Sequence, residues 1–257
     1  MFIKSKYLNQ IHSLPEVSEN NKVDEDIQSL LAPMRLIQNI CLLPKYQMSK
    51  KIIKPNGFWL NFTCVIGTSL TIAVLAFDYI VTDESLNHST LNVLRKSLLF
   101  DMIYYAVGLI VCCSVCVFLS KWYVLLILKI QEIHRKLYDT RFRCFVRRNW
   151  ASVIFLVLCY MTFYFLAQLT FYEESGTFLA RLIALVNFDF NIVTVIRLMK
   201  FINMKFDIWI KKFKIYSSIG IIYGHNTNKI LWTKMYHTYW CVMQSYSLVK
   251  KLFQYLV

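Results

Sequence analysis

Four stretches of the chain stay apolar for about the length a bilayer demands, and each is bounded by charged or polar residues. A hydrocarbon core roughly 30 Å thick is crossed by about 20 residues of helix. The first stretch, FWLNFTCVIGTSLTIAVLAFDYIV at 58–81, carries Asp78 near its far end. The second, at 97–120, carries Asp101 near its start, and the third, at 150–172, has no charge. The fourth is shorter in its purest part, LIALVNFDFNIVTVI between Arg181 and Arg197, but the run extends over 178–203. Arginines at such ends can reach the headgroups while their stems stay in the apolar region. The pattern predicts an all-α protein: a polytopic membrane helical bundle with about four transmembrane helices, preceded by an amino-terminal region at 1–57 that is expected to be cytoplasmic.

The segments that follow the second and fourth stretches are more than loops. KWYVLLILKIQEIHRKLYDTRFRCFVRR continues from the second with Leu125, Leu128, Ile133 and Leu137 at helical spacing, which predicts a helix leaving the membrane. RLMKFINMKFDIWIKKFKIY does the same after the fourth. The Gly and Asn residues of GHNTN then break the chain, and an amphipathic stretch from Lys229 to Val257 closes the 204–257 region. Its last residues, SYSLVKKLFQYLV, resemble the beginning of a further span. These amphipathic segments fit helices lying on a leaflet surface; they equally fit a helical bundle that packs neighbouring subunits together.

Composition sharpens the membrane reading. Hydrophobic residues make up 57% of the 257 residues and charged ones 17%, against about 25% charged in soluble domains; the mean hydropathy is +0.44. The net charge of +14 does not point to nucleic acid, because the basic residues flank the apolar runs instead of forming one basic domain. Lys45, Lys50, Lys51 and Lys54 precede the first run; eight Lys and Arg between Lys121 and Arg148 separate the second from the third; Lys200, Lys205, Lys211, Lys212 and Lys214 follow the fourth. The other two connections hold only Arg95, Lys96 and Arg181, beside Asp83, Glu84, Glu173 and Glu174. The positive-inside rule then places the amino terminus in the cytoplasm. Asn87-His88-Ser89 would face outside as an acceptor for N-glycosylation. The first residues carry no apolar core of a cleavable signal, so insertion is expected from the first span.

The 8 cysteines lie mostly in or beside apolar runs, so a disulfide framework is not expected. CCSVC at 112–116 contains a C-x-x-C, but no second ligand pair follows at zinc spacing. Small, polarizable packing residues of a membrane helix are the reading. No metal site, cofactor or nucleophile–base constellation is expected, and no catalytic residues with it.

The order of these segments, with LLAPMRLIQNICLLP at 30–44 ahead of the first span, short outer connections, a long basic helix after the second span and RLMKFINMKFDIWIKKF after the fourth, resembles an insect gustatory receptor. The likeness covers nearly the whole chain but only the first half to two-thirds of a usual family member, and its motifs are patterns of residue type. It implies a chemosensory receptor subunit of the plasma membrane of sensory neurons, one of four in a ligand-gated cation channel of seven-helix subunits. Its implied partners are other gustatory receptor subunits, membrane lipid and a small organic ligand such as a sugar or bitter compound. The family's pore helix carries Thr-Tyr, five mostly apolar residues and Gln-Phe. Here Thr238 and Tyr239 precede Gln244 by four intervening residues, with Ser245 in place of Phe and lysines on both sides. Those three are either a degenerate pore helix or a coincidence, in which case the pore would lie on a helix beyond residue 257. The family's ligand site, in the outer half of the bundle, would correspond to Asp101, Tyr104, Tyr105, Tyr160, Phe163, Tyr164, Gln168, Asn187 and Asp189. Aromatic walls with few polar groups suit small organic ligands, and the same aromatics also serve packing and interfacial anchoring. The alternatives are a non-conducting four-span interaction or regulatory subunit and an odorant-receptor-type relative.

Overall fold

The computed structural model describes residues 21–85, 92–139, 141–170, 175–220 and 225–254. Their order is α1 (Glu25–Ile40), β1 (Gln47–Ser49), β2 (Ile52–Lys54), α2 (Phe58–Ser85), α3 (Asn92–Phe118), α4 (Ser120–Lys136), α5 (Phe142–Thr170), α6 (Ser175–Gly220) and α7 (His225–Phe253). Four of these helices, α2, α3, α5 and α6, are long and apolar enough to cross a membrane. The all-α membrane-bundle architecture is therefore present, with one small exception.

That exception is the hairpin β1–β2, paired antiparallel with Met48 opposite Ile53. Its turn residues, Lys50 and Lys51, have φ of 47° and 71°, the two positive values of a type I′ turn that Asn and Gly usually supply. The Lys51 carbonyl accepts from the Val23 amide at 2.7 Å, which ties the turn to the residues ahead of α1, and the Lys51 ammonium makes an exposed ion pair with Glu25. The second unexpected element is α1. Asp24 begins it in extended backbone and Glu25 and Asp26 fill its first turn, where carboxylates meet the positive end of the helix dipole. Its buried stripe of Ile27, Leu30, Leu31, Met34 and Ile37 packs against α5 and α6.

The membrane-length helices also differ in detail from the expected spans. α3 stops at Phe118, and α4 restarts after Leu119 alone leaves helical geometry at φ −102°, ψ 8°. α5 begins at Phe142 instead of near 150, so most of the basic stretch before the third span is already helix. α6 is one helix of 46 residues, about 69 Å at 1.5 Å per residue, more than twice the hydrocarbon thickness. About half of it must project beyond the bilayer. In α4 the buried stripe is Tyr123, Leu126, Ile127, Ile130, Ile133 and His134; Ile133 and Leu137 belong to the buried face as expected, while Leu125 and Leu128 sit at its margin.

The largest hydrophobic core starts at one end of the spans, where α4, α7 and the second half of α6 meet α1 and β2, and takes in Val115, Leu198, Phe201 and Ile202 from the ends of the second and fourth apolar stretches. Lys205, Gln131 and Asn149 find hydrogen-bond partners at this core, whereas the Tyr123 hydroxyl and His134 Nδ1 have none among the described residues. The Lys205 ammonium donates to the carbonyl of Leu137, the residue that ends α4, at 2.7 Å, and lies over the rings of Phe142 and Phe201 at 5.8 and 5.4 Å. A helix C-terminus leaves carbonyls unpaired and attracts cations, and Lys205 answers both needs. Gln131 of α4 donates to the Lys22 carbonyl at 3.0 Å and accepts from the Asp24 amide at 3.1 Å. Asn149 of α5 donates to the Leu30 carbonyl at 2.9 Å. The clusters among the spans are smaller; one joins Cys64 of α2 to Cys112, Cys113 and Cys116 of α3, so the CCSVC stretch acts in packing. The eight cysteines are free thiols.

Candidate functional site

Asp189 lies in the middle of the fourth apolar stretch, where an unpartnered carboxylate is costly. Its partner is on another helix: the Tyr160 hydroxyl of α5 donates to the Asp189 carboxylate. Asn187, two residues earlier, does not reach it. Successive residues of a helix turn by about 100°, so positions 187 and 189 face different neighbours. The Asn187 amide donates instead to the Ile183 carbonyl at 3.1 Å.

Phe188, between them, meets α3. Its ring stacks on Tyr105 with centroids 6.3 Å apart and lies 6.1 Å from Tyr104, while the two tyrosines meet edge-on at 5.8 Å. The close approach needs glycine opposite: a Cβ on Gly108 would collide with the edge of the Phe188 ring. Tyr104, Tyr105 and Phe188 therefore join α3 to α6, and Tyr160 and Asp189 join α5 to α6 at the next residue along α6.

Asn187 belongs to a second, deeper place. It lines a cavity of about 10 Å³ with Gln38, Lys45, Cys112, Cys116 and Asn191 among its walls, enough for one water position. The Asn191 amide donates to the Asn187 carbonyl at 2.9 Å and to Cys112 Sγ at 3.4 Å. Lys45 is buried against this cavity with no hydrogen-bond acceptor for its ammonium among the described residues. Its charge faces the rings of Tyr123 and Phe253 at 4.9 and 4.7 Å, a cation–π arrangement. Burial lowers its pKa to about 8.

The other expected site residues fall elsewhere. Phe163 is exposed, Tyr164 is half-buried with its ring edge-on to Phe165 at 6.2 Å, and Asp101 is exposed. The Gln168 side chain and Asn87 lie outside the described residues. Thr238, Tyr239 and Gln244 are on α7, which is long enough but is not among the four helices apolar enough to cross a membrane. There the Thr238 hydroxyl donates to the Lys234 carbonyl at 2.8 Å, and Tyr239 packs on Trp209 of α6 at 5.3 Å. Gln244 buries its side-chain oxygen without a hydrogen bond among the described residues.

Sequence reasoning missed Phe188, Gly108, Asn191 and Lys45. Phe188 adjoins the intramembrane acid, a usable signal. Lys45 looks like any basic residue before a span, and nothing local reveals that its ammonium is buried.

No protein-family model matches the chain, and no curated protein or solved structure matches it.

Proposed function

We propose that this chain is a chemosensory receptor subunit of the insect gustatory type, which recognises small organic ligands between its spans and associates with other such subunits in the plasma membrane. The observation that carries the reading is the Tyr160–Asp189 pair across α5 and α6, with the Tyr104–Tyr105–Phe188 cluster across α3 and α6 starting from the neighbouring residue of α6. An ionisable group inside the apolar zone is a functional-site hypothesis by default; this one is held across two helices, and the aromatic cluster offers faces that suit sugars or apolar bitter compounds. In this reading the amino terminus and the large core of α1, α4 and α7 are cytoplasmic, on the positive-inside argument, and that end joins neighbouring subunits.

A specific observation also favours the non-conducting reading. Thr238, Cys241 and Ser245 of α7 are buried, and the helix packs on α4 and α6, an arrangement of a packing helix more than of a pore wall. One experiment separates the two. The chain is expressed alone and with a complete gustatory-type subunit, and cation current is recorded against a panel of sugars and bitter compounds. The receptor reading expects Asp189→Leu to abolish the ligand response or shift its midpoint at least about tenfold, which is about 1.4 kcal/mol, with Asp189→Asn and Tyr160→Phe milder. Unchanged responses in Asp189→Leu and Tyr160→Phe would sink it. Silence of the chain alone together with co-purification of the partner would favour the regulatory subunit.

A further inference from the structure

The interface of α4 and α7 brings three metal-ligand side chains together. Glu132 stands on α4, and His237 and Cys241, one turn apart at i and i+4, share a face of α7. Cys241 Sγ is 3.5 Å from His237 Nδ1, and Glu132 Oε1 is 3.8 Å from the same nitrogen. All three ligand atoms lie within 4.8 Å of one another. A tetrahedral zinc ion bound at about 2.3 Å to sulfur and about 2.0 Å to nitrogen and oxygen sets its ligands about 3.3–3.6 Å apart. The triangle is thus within a small adjustment of closing around an ion.

We propose that Glu132, His237 and Cys241 form a binding site for a zinc-class divalent ion that clips α4 to α7. The chemistry of the donors selects the ion. One thiolate, one imidazole and one carboxylate suit zinc, whereas calcium and magnesium take oxygen ligands. Three protein ligands leave a fourth position open for water, in contrast to closed structural sites with four protein ligands. The site is graded in exposure: Cys241 is 1% exposed and the His237 side chain 57%, so the thiol forms the floor and the imidazole the rim. An ion can enter from that rim without the helices parting.

A cation already occupies the position. The Lys136 ammonium lies 2.6 Å from Glu132 Oε1 and 2.8 Å from His237 Nδ1, so it contacts two of the three ligands. Lys129 holds the other carboxylate oxygen of Glu132 at 3.0 Å. These lysines are the charged groups facing the site from α4, and they weaken binding by competition. Lys136 sits in the last turn of α4 with a third of its side chain exposed, free to swing into solvent when a divalent ion displaces it. Binding also converts the Cys241 thiol into a zinc thiolate, and its proton leaves to solvent. The C-x-x-C of α3 plays no part; the ligands come from two helices, with Glu132 more than 100 positions ahead of His237 and Cys241 along the chain, a spacing no zinc motif contains.

The test uses the purified chain in detergent micelles, titrated with Co²⁺ alone as a spectroscopic substitute. One equivalent should produce a thiolate-to-cobalt charge-transfer band in the near ultraviolet with tetrahedral d–d absorption, both abolished by Zn²⁺. Cys241→Ser should remove the charge-transfer band, and His237→Ala should weaken binding more than about 100-fold, beyond the loss typical of outer-shell partners. Lys136→Met should tighten binding several-fold, because the competing ammonium is gone. Substitution of the two exposed cysteines, Cys144→Ser and Cys159→Ser, should leave the band intact. The proposal is overturned if the wild-type chain gives no band, if the band survives Cys241→Ser, or if Lys136→Met binds no tighter than wild type, since ion and ammonium would then not share a place.

Discussion

Phe201 and Phe155 are the same residue type on neighbouring long helices, α6 and α5, yet Phe201 is 0% exposed and Phe155 68%. The difference reflects two solvents. Water drives apolar side chains together, and around Phe201 stand the rings of Phe142 and Phe145 and the ammonium of Lys205. Among membrane spans that drive is missing, because lipid tails are as apolar as leucine. Helices there meet through selective contacts: Phe188 over Gly108, Tyr160 to Asp189, the cysteines of α2 and α3. One chain thus carries a core built on the rule for water, continuous through α6 with spans built on the rule for lipid.

The largest effect should come from breaking the first kind of core. Phe201→Ala should destabilise the α4–α6–α7 end by about 3–5 kcal/mol, the range for a buried phenylalanine, while Phe155→Ala should change stability by no more than about 0.5 kcal/mol. Thermal unfolding in micelles, followed by the tryptophans Trp122 and Trp209 that flank the core, measures both. Equal losses would mean that Phe155 is covered by protein and that the contrast between the two ends is false.

How much of this was legible in the sequence follows the same division. The spans were legible because an unbroken run of about 20 apolar residues suits a bilayer and little else. The amphipathic helices were legible through their period, although in α4 the buried stripe runs through Tyr123, Leu126 and Ile130 more than through Leu125 and Leu128. The hairpin was not, since lysines at both turn positions give no turn signal and the hairpin is tied by backbone bonds to a distant segment, Val23 to Lys51 and Ile53 to Asn21. Of the site, the aromatic and acidic members were legible as unusual residues in spans, but their partners were not. Tyr160 and Asp189 meet only because α5 and α6 pack, and His237 meets Glu132 only because α7 returns to α4. Lys45 shows the limit best: a surface lysine and a buried one read alike.

A middle-sized effect should come from Lys205, where α6 passes from the spans into the packed end. Lys205→Met keeps much of the stem and removes the charge, leaving the Leu137 carbonyl at the end of α4 without its donor. A buried acceptor left unsatisfied costs about 1–3 kcal/mol. The loss should appear as faster hydrogen exchange in the last turn of α4 and not in α2. An unchanged protection pattern would show that water replaces the ammonium there and that this core is less dry than its aromatic walls imply.

The smallest effect should lie at the rim of the packed end, where Arg135 of α4 grips Asp24 ahead of α1 with two hydrogen bonds of 2.7 Å. Those hydrogen bonds, more than the bare charge, hold the Asp24 carboxyl below its ordinary value of 3.8. Because the folded state binds the proton less tightly than the unfolded chain, the pair's contribution is full above about pH 4 and fades as the pH falls through the lowered value. Both side chains remain substantially exposed, at 59% and 36%, so solvent screening keeps the contribution within about 0.2–1 kcal/mol. Arg135→Gln should therefore lower the melting temperature slightly at neutral pH and low salt, and the gap to wild type should shrink both in high salt and on acidification below about pH 4. A gap that held at high salt would mean that Arg135 acts through packing of its stem against α1, and the rim would then follow the rule of the core beneath it.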